Sequence, residues 1–171
     1  MKKLTSLIVI FIATISFAQV STTRINEFKL GEKKTDLEKI IGKTIDLNLN
    51  NGYQEKPLYL VYKGIVYELY FTPSYGDDGA ELNEFTLYSV RSKDKTLKTL
   101  SGIKTGSTFD ELLHKFKDYN IEINDSWNEN GSRNKTDRIF TINDYDAGTY
   151  LVFTLKNGKV TEFYVGYNEG C

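Results

Sequence analysis

Phe28-Lys29-Leu30-Gly31-Glu32-Lys33-Lys34-Thr35-Asp36-Leu37-Glu38-Lys39-Ile40-Ile41-Gly42 recurs, weakened, as Ile103-Lys104-Thr105-Gly106-Ser107-Thr108-Phe109-Asp110-Glu111-Leu112-Leu113-His114-Lys115-Phe116. Aligned without gaps, Gly31 falls on Gly106, Asp36 on Glu111, Leu37 on Leu112 and Ile41 on Phe116, a period of 75 residues. In the second copy Thr108-x-x-Glu111 is a capping box, each partner satisfying an amide that a helix start leaves open. Phe109, Leu112, Leu113 and Phe116 follow at i, i+3, i+4 and i+7, one face of a helix. In the first copy Lys33 replaces that threonine, and Thr35-x-x-Glu38 offers a cap two residues later. Leu37, Ile40 and Ile41 form a shorter apolar face, and Gly42 is a natural stop. Two short helices are therefore expected, each opened by a glycine.

Outward from the helices the hydrophobic period changes to two. The first copy predicts strands near 45–49, 57–63, 65–72 and 82–90, and the second near 120–124, 138–143, 149–156 and 159–167. Alternation is clear where Thr149, Leu151, Phe153 and Leu155 oppose Tyr150, Val152, Thr154 and Lys156, the pattern of a half-buried strand. Lys63-Gly64 and Asn157-Gly158 separate strand pairs, and Asn-Gly is a strong hairpin signal. Leu82-Asn83-Glu84-Phe85 also resembles Val160-Thr161-Glu162-Phe163, with a period of 78. The expected fold is α+β: two tandem repeats, residues 19–92 and 93–171, packed as one unit. Each is a short helix, or helical pair, on one face of a four-stranded antiparallel sheet. The lysine-rich junction near 91–100 would contribute Leu97 and Leu100 from a helical turn.

The chain opens with Lys2 and Lys3, an unbroken apolar run from Leu7 to Ala13, and small residues at Ser16 and Ala18, the pattern of a signal peptide over 1–18. The apolar run is shorter than the ~20 residues a bilayer-spanning helix needs. Cleavage after Ala18 removes both lysines and takes the net charge from −1 to −3. That balance favours neither nucleic acid nor an anionic membrane surface as partner. Cys171, the only cysteine, cannot form an internal disulfide.

A glycine followed by [Thr/Lys]-x-x-[Asp/Glu]-[Leu/Val], a short helix and a run of strands, repeated at a period near 75, resembles the tandem-repeat fold of β-lactamase-inhibitor proteins. A single unit is similar to the outer-membrane assembly lipoproteins of the SmpA/OmlA type. The resemblance covers both copies in outline and rests on about a dozen residues, a count read from the motif itself. It implies an exported bacterial protein that works by protein–protein contact, gripping its target on a concave sheet surface. The inhibitors' disulfide and the lipoproteins' anchor cysteine have no counterpart here, and no inhibitory contact residue aligns, so β-lactamase is not implied as target.

Enzyme chemistry is poorly provided for. The single histidine, His114, lies off the apolar helix face, and no Gly-x-Ser-x-Gly elbow presents a serine. One histidine and one terminal cysteine do not fit common zinc spacings. The stretch Ser126-Trp127-Asn128-Glu129-Asn130-Gly131, ending at Asp137, places oxygen ligands like a calcium loop. It lacks flanking helices and a terminal glutamate, and a polar hairpin loop is the better reading. No cofactor is expected, and catalytic and metal residues are none.

The twelve tyrosines are more informative. If Phe85, Leu87, Leu151, Phe153, Phe163 and Val165 face the helices, alternation sends Tyr59, Tyr70, Tyr88, Tyr150 and Tyr164 to the opposite face, with Glu68, Glu84 and Glu162 among them. Tyrosine has high strand propensity and decorates many sheets. It also offers rigid apolar area with a polar tip, the chemistry of a binding surface. The expectation is an exported, periplasmic or extracellular, non-enzymatic module that binds a protein, as an inhibitor or immunity-type protein acting on an enzyme or toxin. The alternative is a structural accessory of the cell envelope, and, behind that, an enzyme using carboxylates.

Overall fold

The structure, a computed structural model, describes residues 20–76, 78–128 and 130–168. The predicted signal peptide, Cys171 and Glu129 of the polar loop lie outside these residues. Three two-residue strands come first among the described residues, β1 (Val20–Ser21), β2 (Arg24–Ile25) and β3 (Phe28–Lys29), and form a small meander. Helix α1 (Lys34–Ile41) follows, then the short pair β4 (Leu49–Asn50) and β5 (Tyr53–Gln54). The long strands are β6 (Leu58–Tyr62), β7 (Ile65–Tyr75) and β8 (Glu81–Ser92). After α2 (Phe109–Phe116) come β9 (Ile121–Trp127), β10 (Arg133–Asp144), β11 (Thr149–Lys156) and β12 (Lys159–Tyr167).

The expected pair of four-stranded sheets is not what forms. One antiparallel sheet of seven strands runs β6-β7-β8-β12-β11-β10-β9 through both halves of the chain. The join is β8 against β12, with Phe163, Tyr164, Val165 and Gly166 opposite Ser92, Arg91, Val90 and Ser89. Two separate sheets would leave four open edges, whereas the joined sheet leaves two. The protein is thus mostly β, and the two-repeat description of its fold is corrected. The expected strand at 45–49 is not part of this sheet either: Ile45 is a buried residue in an irregular segment, and Leu49 pairs only within the β4–β5 hairpin.

What recurs is the junction that carries each helix. The Gly31 amide donates to the Leu87 carbonyl, and the Leu87 amide to that of Glu32. The Gly106 amide donates to Val160, and the Val160 amide to Ser107. Leu87, not Leu82, therefore stands where Val160 does, and the residues aligned with Phe163 shift accordingly. Val90, fully buried, takes the place expected of Phe85, which is only half-buried.

Helix α2 carries the predicted capping box. The Thr108 amide donates to Glu111 Oε2 at 2.6 Å, and the Glu111 amide to Thr108 Oγ1 at 3.2 Å. Helix α1 starts at Lys33 without any side-chain cap, so Thr35 does not serve as one. Glu38 instead holds Lys34 at 2.7 Å and accepts the Ile45 amide at 2.8 Å, tying the helix to the segment that leaves it. Gly42 ends α1 in the left-handed region, as its sequence position predicted.

Both helices and the meander cover the same side of the sheet. Leu37, Leu112 and Phe116 are buried, and Ile41 is half-buried against the same core. Phe116 packs against Phe140 and Phe153, and Phe28 of the meander against Tyr67 at 4.4 Å between ring centroids. Burial pushes the Tyr67 hydroxyl above its usual pKa, partly offset by the hydrogen bond it accepts from Asn26 at 2.6 Å. Leu97 joins the core, while Leu100 is 81% exposed and does not. Residues 20–29, unmarked by any periodicity, thus add Val20, Ile25 and Phe28 to the same core.

Candidate interaction surface

The opposite side of the sheet has no helix on it among the described residues. Its composition follows from strand alternation alone: in β7 Tyr67, Leu69 and Phe71 are buried while Val66, Glu68 and Tyr70 point the other way. Pairing aligns these outward residues into rows that cross the sheet. One runs Tyr59, Glu68, Arg91, Tyr164, Val152, Thr141 and Glu122, from β6 to β9. The next runs Tyr70, Ser89, Gly166, Tyr150 and Asn143.

Arg91 is the centre of the first row. Its guanidinium lies 4.9 Å from the Tyr164 ring centroid, a cation–π contact. Glu68 and Glu162 stand on either side, each 3.8 Å from an Arg91 nitrogen. Those distances are ion pairs but not hydrogen bonds, and the buried Nε–H has no acceptor. Lys93 approaches Glu162 from the far side at 3.4 Å. Glu162 also accepts from the Thr154 hydroxyl at 3.2 Å and is 8% exposed, so its charge is held among two cations and a hydroxyl. Such burial of a carboxylate is tolerable only because it is paired.

Tyr150 and Tyr164 stack with ring centroids 5.7 Å apart, and their hydroxyls lie 3.5 Å from each other over Gly166. A Cβ at residue 166 would come within 3.1 Å and 3.2 Å of the two hydroxyl oxygens, so a larger residue would push the pair back by a few tenths of an ångström. With Ser89 beside it, Gly166 forms a low point between Tyr70 and the stacked pair. Beside the Arg91 cluster, Tyr59, Val66, Glu68, Arg91, Ser92, Lys93 and Asp94 line a cavity of about 380 Å³. The Thr96 hydroxyl and amide hold the Asp94 carboxyl below its usual pKa, leaving it charged at neutral pH.

Of the residues predicted to form a surface, the structure gathers Tyr59, Glu68, Glu162, Tyr164, Tyr150 and Tyr70 on this face. Tyr70 is anchored there by its hydroxyl, which donates to the Glu55 carbonyl at 3.1 Å. Two residues stand apart from that group. Glu84 pairs with Lys33 at 3.0 Å, away from the Arg91 cluster. Tyr88 falls at a bulge where β7 passes from Tyr70 to Phe71 opposite Ser89 and Leu87, and its ring packs on Tyr167 at 5.8 Å. A bulge breaks the two-residue alternation, which is why counting from Phe85 misplaced it. Arg91, Lys93, Val66 and Gly166 were not anticipated. The signal for Arg91 was its place opposite Tyr164, visible only once β8 and β12 are known to pair.

The polar stretch 125–137 is largely strand. β9 and β10 continue through it, with Asp125 paired to Arg133 and to Arg138, the latter at 3.6 Å. Asp137 accepts the Asn157 amide at 3.0 Å, linking two hairpins. Among the described residues no group of three metal-ligating side chains converges, and His114 is exposed on α2. No family model, characterised protein or solved structure matches this chain.

Proposed function

We propose that this chain is an exported, non-enzymatic module that binds a protein partner on the open face of its sheet. The observation that carries the reading is Arg91. Its guanidinium is fixed over Tyr164 and between two carboxylates, on the face that no helix among the described residues covers. Arginine and tyrosine supply a large share of interface binding energy, most of all when they are held in place before the partner arrives. The stacked Tyr150 and Tyr164 and the exposed Tyr59 extend the same surface. Acidic and basic groups here neutralise one another, which suits a polar protein surface better than a nucleic acid or lipid headgroup.

The leader-like residues 1–18 support export, and an inhibitor or immunity-type role against an envelope or extracellular enzyme or toxin fits that location. The test is capture from an envelope and secreted-protein extract with the processed chain as bait, beside an Arg91→Ala and Tyr164→Ala bait. One soluble enzyme or toxin retained by the first bait and lost by the second is the expected result. Recovery of outer-membrane assembly machinery instead would assign the chain to the envelope-accessory class, and equal recovery by both baits would remove the open face as the site.

A further inference from the structure

The sheet's two edges differ. β9, at one end, carries Glu122, Asn124 and Asp125, charged and polar groups of the kind that keep edge strands from pairing. β6, at the other, reads Leu58-Tyr59-Leu60-Val61-Tyr62, without a charge, a proline or a bulge. It has β7 on one side only. Its turn fixes which backbone groups face outward. Lys63 and Gly64 both have positive φ, 49° and 80°, the two-residue hairpin turn in which the flanking Tyr62 and Ile65 form a hydrogen-bonded pair. Counting back, Leu60 and Leu58 also bond to β7, and the amides and carbonyls of Tyr59 and Val61 point away from it. Among the described residues no hydrogen bond reaches that side.

We infer that β6 pairs with β6 of a second copy, antiparallel about a two-fold axis at Leu60, making one sheet continuous through both molecules. In that register all five residues are used, and Tyr59 lies opposite the second copy's Val61 in both directions. No like charges meet, because the strand has none. Pairing of β6 with β9 of another copy would place the acidic β9 against an apolar strand and would propagate without closing. The side chains bordering the edge fit a covered position: Tyr59 is 68% exposed, Val61 61% and Val66 53%, all on the open face, with Ile40 at 40% on the helix side. Tyr62 ties that helix to the edge by donating its hydroxyl to the Ile40 carbonyl. One five-residue strand pair buries less than the ~1,200 Å² of a stable interface, so the dimer is weak and concentration-dependent. It would set two open faces side by side, a bivalent surface. This inference is independent of what the open face binds.

Sedimentation velocity of the processed chain from about 1 μM to about 1 mM, spanning the range of weak association, should show monomer passing to dimer. Amide hydrogen exchange should slow with concentration at Tyr59 and Val61 and stay constant at Asn124 of β9. Val61→Pro removes an outward amide without touching the β7 ladder and should weaken association at least about tenfold. Val61→Lys, which leaves the backbone intact, should do the same and decides the matter if the proline disturbs the hairpin. A monomer at every concentration would overturn the inference. So would a dimer that both variants retain, or one that protects β9 instead.

Discussion

The two faces of the sheet are built from the same strands and have opposite duties. On one side Leu69, Leu87, Phe153, Phe163 and Val165 are fully buried beneath the helices and the meander. On the other, residues one position away make the row from Tyr59 through Arg91 to Tyr164. Stability is concentrated on the first face, and the second is left free to carry aromatic and charged groups. The division teaches that a half-covered antiparallel sheet separates folding from recognition by a single step in sequence.

The sharpest way to break that division is to mutate neighbours on one strand. Phe153→Ala should cost about 3–5 kcal/mol, since it empties volume at a fully buried site between Phe116, Phe140 and Phe163. Val152→Ala, facing the other way, should cost about 1 kcal/mol or less, the span of strand-propensity effects. Equal losses in chemical denaturation would show that the open face is also core.

The helices sharpen it further, because they form the covering layer with unequal starts. Thr108→Ala removes a threonine that accepts an amide and should cost about 1 kcal/mol. Lys33→Ala, at a start with no side-chain cap, should cost less, its loss confined to the exposed ion pair with Glu84. The reverse order in thermal unfolding would mean that α1, not α2, is the better-anchored helix.

The smallest effect is on pH dependence. The Thr108 amide holds the Glu111 carboxyl below its usual pKa, and Lys34 with the Ile45 amide does the same for Glu38. A carboxyl with a lowered folded pKa stabilises the protein above its unfolded pKa, and that contribution is lost as pH falls through the folded value. Stability should therefore decline on acidification below about pH 4.5, the unfolded carboxylate range. Glu111→Gln should flatten that decline in a series of melts.

Much of this was legible locally. The Thr108 capping box, the Gly42 stop, the Lys63-Gly64 and Asn157-Gly158 turns and the alternation in β11 each depend on residues a few positions apart. The pairing of β8 with β12 was not legible, because Ser92 and Phe163 meet across a separation that no local pattern encodes. Without it the sheet divides in two, and Arg91 has no reason to stand out among surface charges. The resemblance of 82–85 to 160–163 misled for a related cause: hydrogen bonding aligns Leu87 with Val160, and a bulge at Tyr88 shifts the alternation on the way. The meander over residues 20–29 was missed because two-residue strands have no period to read.

The central claim, that the open face binds a protein partner while the covered face holds the fold, is tested most directly by one double variant. Tyr59→Ala with Tyr164→Ala is titrated against the captured partner by calorimetry, and its melting temperature is measured on the same sample. The account predicts a fold essentially as stable as the unmodified chain, with binding weakened by about 2 kcal/mol or more, roughly thirtyfold. Unchanged affinity in a folded double variant would contradict it, and so would unfolding, which would place these tyrosines in the core.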